Sequence, residues 1–259
     1  YYLVGENKGL GAFGIRAQKN TKFSQVILYI LVIVLAFSTF GNAQQANAAI
    51  TLTLADGDTL NYDHAKSVNI IGTGTNVGDV VLYKNIGAFG GYAIDGVVTT
   101  TSISGSISNY DNPGSASSAT GSSGYFMVNT TGGQATLQFD YYLAGTYTGA
   151  NTGIPVTLQN VRVTSIDLDS SSSAGSYQYS DFTAFQNYSL TADTNLRVIP
   201  MTNPTRVRFQ ANLAGSRNSV PQDQVMIRYT SMSSMSVTFG NVVAGSQNYF
   251  GLIFGPWPG

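Results

Sequence analysis

The chain has 259 residues, a net charge of −1 from 12 basic and 13 acidic side chains, and only 10% charged residues, against about 25% in an ordinary soluble domain. It has no cysteine and a single histidine, His64, which excludes a disulfide scaffold, a thiolate or multi-histidine metal centre and a thiol nucleophile. The near-balance of charge leaves no basic footprint for nucleic acid.

The first predicted element is an unbroken apolar run of twelve residues, Val26 to Phe37. Arg16, Lys19 and Lys22 precede it with no acid between them, and Ala46-Asn47-Ala48 follows as a small-residue exit. A basic start, a short apolar middle and that exit predict a signal-peptide helix and a secreted or cell-surface protein, with residues 1–48 as upstream extension plus leader. A transmembrane anchor needs about 20 apolar residues. The widest window here, Phe23 to Phe40, includes Ser24, Gln25, Ser38 and Thr39, and no basic cluster follows. The mature chain is therefore expected to have no stable membrane span. The first methionine is Met127, and Gly255-Pro256-Trp257-Pro258-Gly259 breaks off an apolar run. Both ends read as cut from a longer precursor, an expectation that the complete reading frame would check.

Residues 49–259 carry twelve Asp, eight Lys and Arg, and no Glu, a balance of −4. Loss of Glu and most Lys removes the usual surface helix formers, and Thr, Val, Ile, Tyr and Phe favour strands. In chain order, strands are predicted at 50–54, 79–84, 97–107, 124–129, 135–143, 155–166, 177–182, 186–190, 195–199, 205–209, 225–230, 235–239 and 249–254. Turn signals separate them, among them Thr131-Gly132-Gly133 and Asn203-Pro204. In 205–209, period two puts Val207 and Phe209 on one face and Arg206 and Arg208 on the other. About a dozen strands at this spacing predict an all-β domain over 49–259, a β-sandwich or jelly roll. The Ser- and Gly-rich stretch 102–123 reads as a long loop or a boundary between two small domains; one domain is the favoured reading.

The segment Val161 to Asp169 carries a conflict. Val161 and Val163 share one face under period two, but the apolar set then switches to Ile166 and Leu168. A bulge or crossing near Thr164-Ser165 is expected to reconcile them. That would leave Asp167 and Asp169 together at a strand end, an arrangement that suits calcium, although calcium takes six to eight oxygen ligands. The alternative is that Asp167 accepts backbone hydrogen bonds in a turn while Asp169 is solvated. Tyr177 and Tyr179 share a face with Asp181 and, with Trp257, are candidate sugar-stacking residues; the alternative is that these rings cover sheet edges. No catalytic constellation is found. His64 lies in a polar turn context without partner motifs, and no G-x-S-x-G elbow occurs.

Three stretches carry a resemblance: Asn160 to Asp169 (N-V-x-V-T-x-I-D-x-D), Phe182 to Tyr188 (F-x-x-F-x-x-Y) and Ser231 to Gly240 (S-x-x-S-x-x-V-T-F-G). Over residues 150–255 the chain resembles a β-sandwich module of large secreted, adhesin-like surface proteins best known from Bacteroidota. The resemblance implies a non-catalytic adhesion or structural module whose partners are other extracellular modules or surface glycans. It also brings Asp181 into the candidate calcium set, while Ser170 to Ser173 depart from its Gly- or Asp-bearing turn. The alternatives are a calcium-stabilised carbohydrate-binding module and, third, a hydrolase using an Asp pair.

Overall fold

The computed structural model describes residues 49–111, 125–170, 175–202, 205–213, 220–243 and 247–256. The predicted signal-peptide helix, the stretch 112–124 and Trp257 lie outside them. The strands are β1 (Ile50–Thr53), β2 (Ser67–Ile71), β3 (Val80–Phe89), β4 (Tyr92–Tyr110), β5 (Phe126–Leu143), β6 (Val156–Ile166), β7 (Gln178–Phe182), β8 (Asn187–Ser189), β9 (Leu196–Thr202), β10 (Thr205–Ala211), β11 (Val225–Met232), β12 (Ser234–Asn241) and β13 (Gln247–Ile253). Two 3-10 turns, His64–Lys66 and Pro221–Asp223, are the only helical pieces among the described residues. No helix among those residues is long and apolar enough to cross a membrane.

All thirteen strands belong to one sheet that curls over its own core, and the β-sandwich expectation fits it broadly. The curl originates in the long β4–β5 pair. The C-terminal half of β5 pairs with β12, and the sheet continues through β7 and β10 to β9. Its N-terminal half pairs with β13, which leads to β6, β11 and β8. β4 follows β5 along its other edge, with β3 and then β2 beyond it. β1 runs parallel to the start of β6, while the other pairings are antiparallel.

Inward side chains follow period two, so one face of each half-sheet fills the core. In β5, Ala135, Leu137, Phe139 and Tyr141 are buried while Gln134, Thr136, Gln138 and Asp140 are half-exposed. Rings from the two halves meet there: Phe126 and Phe139 at 5.1 Å, and Phe239 of β12 and Phe250 of β13 at 5.3 Å, between centroids. Tyr62, on the connection after β1, is fully buried 4.6 Å from Phe254.

Two expectations are corrected. Gly132-Gly133 does not divide two strands but bends one. Opposite them the register slips between Ser104 and Ser106, a bulge that turns the sheet corner. The backbones touch so closely that a Cβ on Gly105 (φ 93°) would lie 2.3 Å from the Gly132 carbonyl oxygen. Accordingly, the predicted strand 97–107 continues through Tyr110, and this part of 102–123 is strand rather than loop. Gly105→Ala is expected to cost about 2 kcal/mol in urea denaturation. Gly57→Ala, where a Cβ meets nothing within 4 Å, should change stability by less than about 0.5 kcal/mol.

The second correction concerns β6. Its pairing with β11 and β13 runs through Thr164 and Ser165 without a slip. Ile166 instead covers Gly251, where a Cβ would sit 2.7 Å from Ile166 Cγ1. The chain then takes a left-handed step at Asp167 (φ 64°), and Leu168 rejoins the core beside Val161 and Val163. A single positive-φ residue does what a bulge was expected to do, and Asp is among the residues that tolerate it.

Candidate functional site

The outer face of the β5-β12-β7-β10-β9 half-sheet holds most of the predicted polar residues. The register places Asp181 beside Arg208, and Tyr179 beside Gln210, all pointing away from Phe182 and Phe209 in the core. The predicted opposition of Val207 and Phe209 to Arg206 and Arg208 is what aims the guanidinium groups outward. Arg208 donates from Nε to Asp181 Oδ1 at 2.8 Å and from Nη2 to Oδ2 at 3.0 Å. Arg206 pairs with the same carboxylate at 3.0 Å. A fork-to-fork pair of this kind is the strongest geometry available to Arg and Asp. The Arg208 guanidinium also lies 3.5 Å from the centroid of the Tyr179 ring, a cation–π contact. The Tyr179 hydroxyl donates to Gln134 Oε1 at 2.7 Å, and this partner comes from the β5 corner.

Electrostatics follow from this packing. Burial disfavours the Arg208 charge, but the hydrogen bonds and negative charge of Asp181 outweigh it, so the Arg208 pKa goes up. Burial raises the Tyr179 hydroxyl, against the lowering influence of Arg208. One step toward the edge, Arg197 is exposed, with its guanidinium 6.0 Å from the Tyr177 ring centroid. The Gln210 amide, turned as its surroundings require, accepts from Arg197. Two guanidinium groups thus share the Asp181 carboxylate, and a third, Arg197, is held by Gln210 beside Tyr177. Arg197 and Tyr177 are the outermost members of this face and offer donors and a flat apolar surface to an incoming group.

The three carboxylates assigned to calcium have separate surroundings. Asp181 is 1% exposed and held by two arginines. Asp169 is buried, with its backbone N–H donating to Gln178 Oε1 and its carbonyl accepting from Gln178 N. It is not solvated, as the alternative reading supposed. Asp167 is half-exposed at the left-handed step. Among the described residues, no three His, Cys, Asp or Glu side chains form a metal-binding group. Addition of EDTA is expected to leave the thermal midpoint unchanged; a fall that Asp167→Asn/Asp169→Asn abolishes would place an ion at those residues.

Tyr177, Tyr179 and Asp181 alternate along one face at β7. Arg197, Gln134 and Gln210 were missed. Alternation in 205–209 signals outward arginines, but no local pattern says that β9 and the β5 corner flank them.

No family model and no curated protein matches the chain. A solved structure does match: the N-terminal domain of the Streptococcus gordonii adhesin Sgo0707, with a TM-score of 0.54 at 10% sequence identity. The two share a fold. The match covers 81% of this chain, which spans about 61% of that structure's length. At this identity the likeness concerns the path of the backbone and carries no residue-level correspondence.

Proposed function

We propose that the chain is a secreted or cell-surface adhesion module, a jelly-roll-like sandwich working without catalysis within a larger extracellular protein. The observation that carries this reading is the fold it shares with an adhesin N-terminal domain. The resemblance in Asn160 to Asp169, Phe182 to Tyr188 and Ser231 to Gly240 points the same way. The arginine–tyrosine face is the contact surface in this reading, because its inner members are locked and its outer members are presented at little entropic cost. Surface glycans and other extracellular modules are the partners. Arrays of glycans and extracellular matrix proteins test it. The chain should be retained on a subset, and Arg197→Ala should weaken retention several-fold, with only a small fall in thermal midpoint from the lost bond to Gln210. Absence of binding to every surface would sink the reading.

A further inference from the structure

A cleft of about 320 Å³ lies between the β2–β3 hairpin and the last residues of β4, on strands other than those of the arginine–tyrosine face. Its floor is Val81, Tyr83 and Tyr110, all buried. Its walls carry only uncharged hydrogen-bonding groups, the hydroxyls of Ser67, Thr73, Thr75 and Ser108 and the amides of Asn69 and Asn109, with His64 at the rim.

The walls are pre-shaped. The loop bearing Thr73 and Thr75 is tied down by Asp79, whose Oδ2 accepts from the backbone N–H groups of Thr73 at 3.1 Å and Asn76 at 3.0 Å. Thr100 Oγ1 donates to the Gly74 carbonyl at 2.7 Å. Gly74 lies flat on the Tyr110 ring, where a Cβ would come within 2.6 Å. Behind the floor, the Tyr83 hydroxyl donates to Asp111 Oδ2 at 2.7 Å, fixing that ring. Pockets of roughly this size, 300 Å³ and above, take small molecules when an apolar surface meets a few placed polar groups.

The geometry points to a binding site for a neutral polyhydroxylated ligand, the terminal sugar of a glycan, with C–H groups on the Val81–Tyr110 floor and hydroxyls against Asn69, Thr75 and Ser108. A charged ligand would meet no opposite charge on the walls and would lose hydration without compensation, whereas sugar hydroxyls meet neutral hydroxyls and amides; Ser108 Oγ, which donates to the Asn129 carbonyl, keeps acceptor capacity, and the exposed Asn69 amide can donate and accept. The inference goes beyond the adhesion reading, since a free sugar can occupy the cleft whether or not the chain adheres to a surface.

The test is saturation-transfer NMR of the full chain with glucose, galactose, mannose and N-acetylglucosamine, with spermidine as a cationic comparison. At least one sugar should bind, and spermidine should not. Asn69→Ala and Ser108→Ala remove wall contacts from exposed positions; each should weaken binding at least tenfold with an unchanged melting curve. Ser108→Trp should abolish it by filling the cleft. The inference is overturned if no sugar binds, if spermidine alone binds, or if Ser108→Trp leaves sugar binding intact. Surface retention that persists without sugar binding would condemn the cleft and leave the adhesion reading standing.

Discussion

Asp181→Ala is expected to destabilise the fold by about 3 kcal/mol, a fall of about 10 °C in thermal midpoint for a domain of this size. The carboxylate is 1% exposed and satisfies Arg206 and Arg208 together. Its loss leaves two neighbouring guanidinium groups, 20% and 17% exposed, with their repulsion uncompensated. The partial exposure of both arginines keeps the expected cost at the lower end for a broken buried pair. Pairing the change with Arg208→Met should restore part of the loss, because the second substitution removes the stranded charge while keeping a long apolar stem over Tyr179. Such non-additivity is the signature of a direct interaction. A cost below about 1 kcal/mol for the single variant would show that the pair contributes little more than an exposed salt bridge.

The second large effect is a pH dependence. Burial pushes the Asp111 carboxyl up to about 8, with the nearby Asp63 charge adding to the rise and the bonds from Tyr83 and Met127 opposing it. Unfolded, the same carboxyl titrates near its ordinary value of about 3.9. Between these values the folded chain holds a proton that the unfolded chain has released. Stability from this group is therefore full below about pH 4 and is lost as the pH rises toward 8. Asp56, Asp79 and Asp193 have lowered values, so their contributions are lost only as the pH falls below about 4, outside the window. Asp111→Asn imitates the protonated form, since its amide can donate to Tyr83 and still accept from the Met127 N–H. Asn also tolerates the left-handed φ of 45° at this position.

The groups facing Asp111 are Tyr83, Tyr110, Asp63 and His64, whose Nδ1 lies 3.9 Å from Asp111 Oδ2. His64→Gln as background removes the neighbouring imidazole from the comparison. In that background, the Asp111 protein should lose a few kcal/mol relative to Asp111→Asn between pH 4 and pH 8. Parallel stability curves for the two would contradict the assignment of Asp111 as a buried acid.

Much of the fold is legible in the sequence because period-two alternation is a local property. Ala135 to Tyr141 and Val207 to Phe209 announce their inward faces without reference to partners. What the sequence hides is where strands continue and which strands pair. Gly132-Gly133 has the composition of a turn, yet the close approach of the β4 backbone at Gly105 makes it a corner. β2, Ser67–Ile71, was missed because its apolar residues Val68 and Ile71 face outward and exposed. The candidate face was half legible. Tyr179 and Asp181 lie on β7 with Tyr177 just before it, at two-residue spacing, while Arg197, Arg208 and Gln134 reach them from three other strands. The cleft was not legible at all: its residues come from four segments, and His64 acquires its neighbour Asp111 only when β4 folds back.

The adhesion reading is tested most directly by comparing beads coated with the chain against beads coated with its Tyr177→Ala/Arg197→Ala variant under flow over the surfaces that retain the parent. Both substitutions are at the outer margin of the arginine–tyrosine face and should lower the melting curve only slightly, through the lost bond from Arg197 to Gln210. The account predicts that the variant beads detach at a several-fold lower shear. Equal retention of variant and parent beads would contradict this face as the adhesive surface.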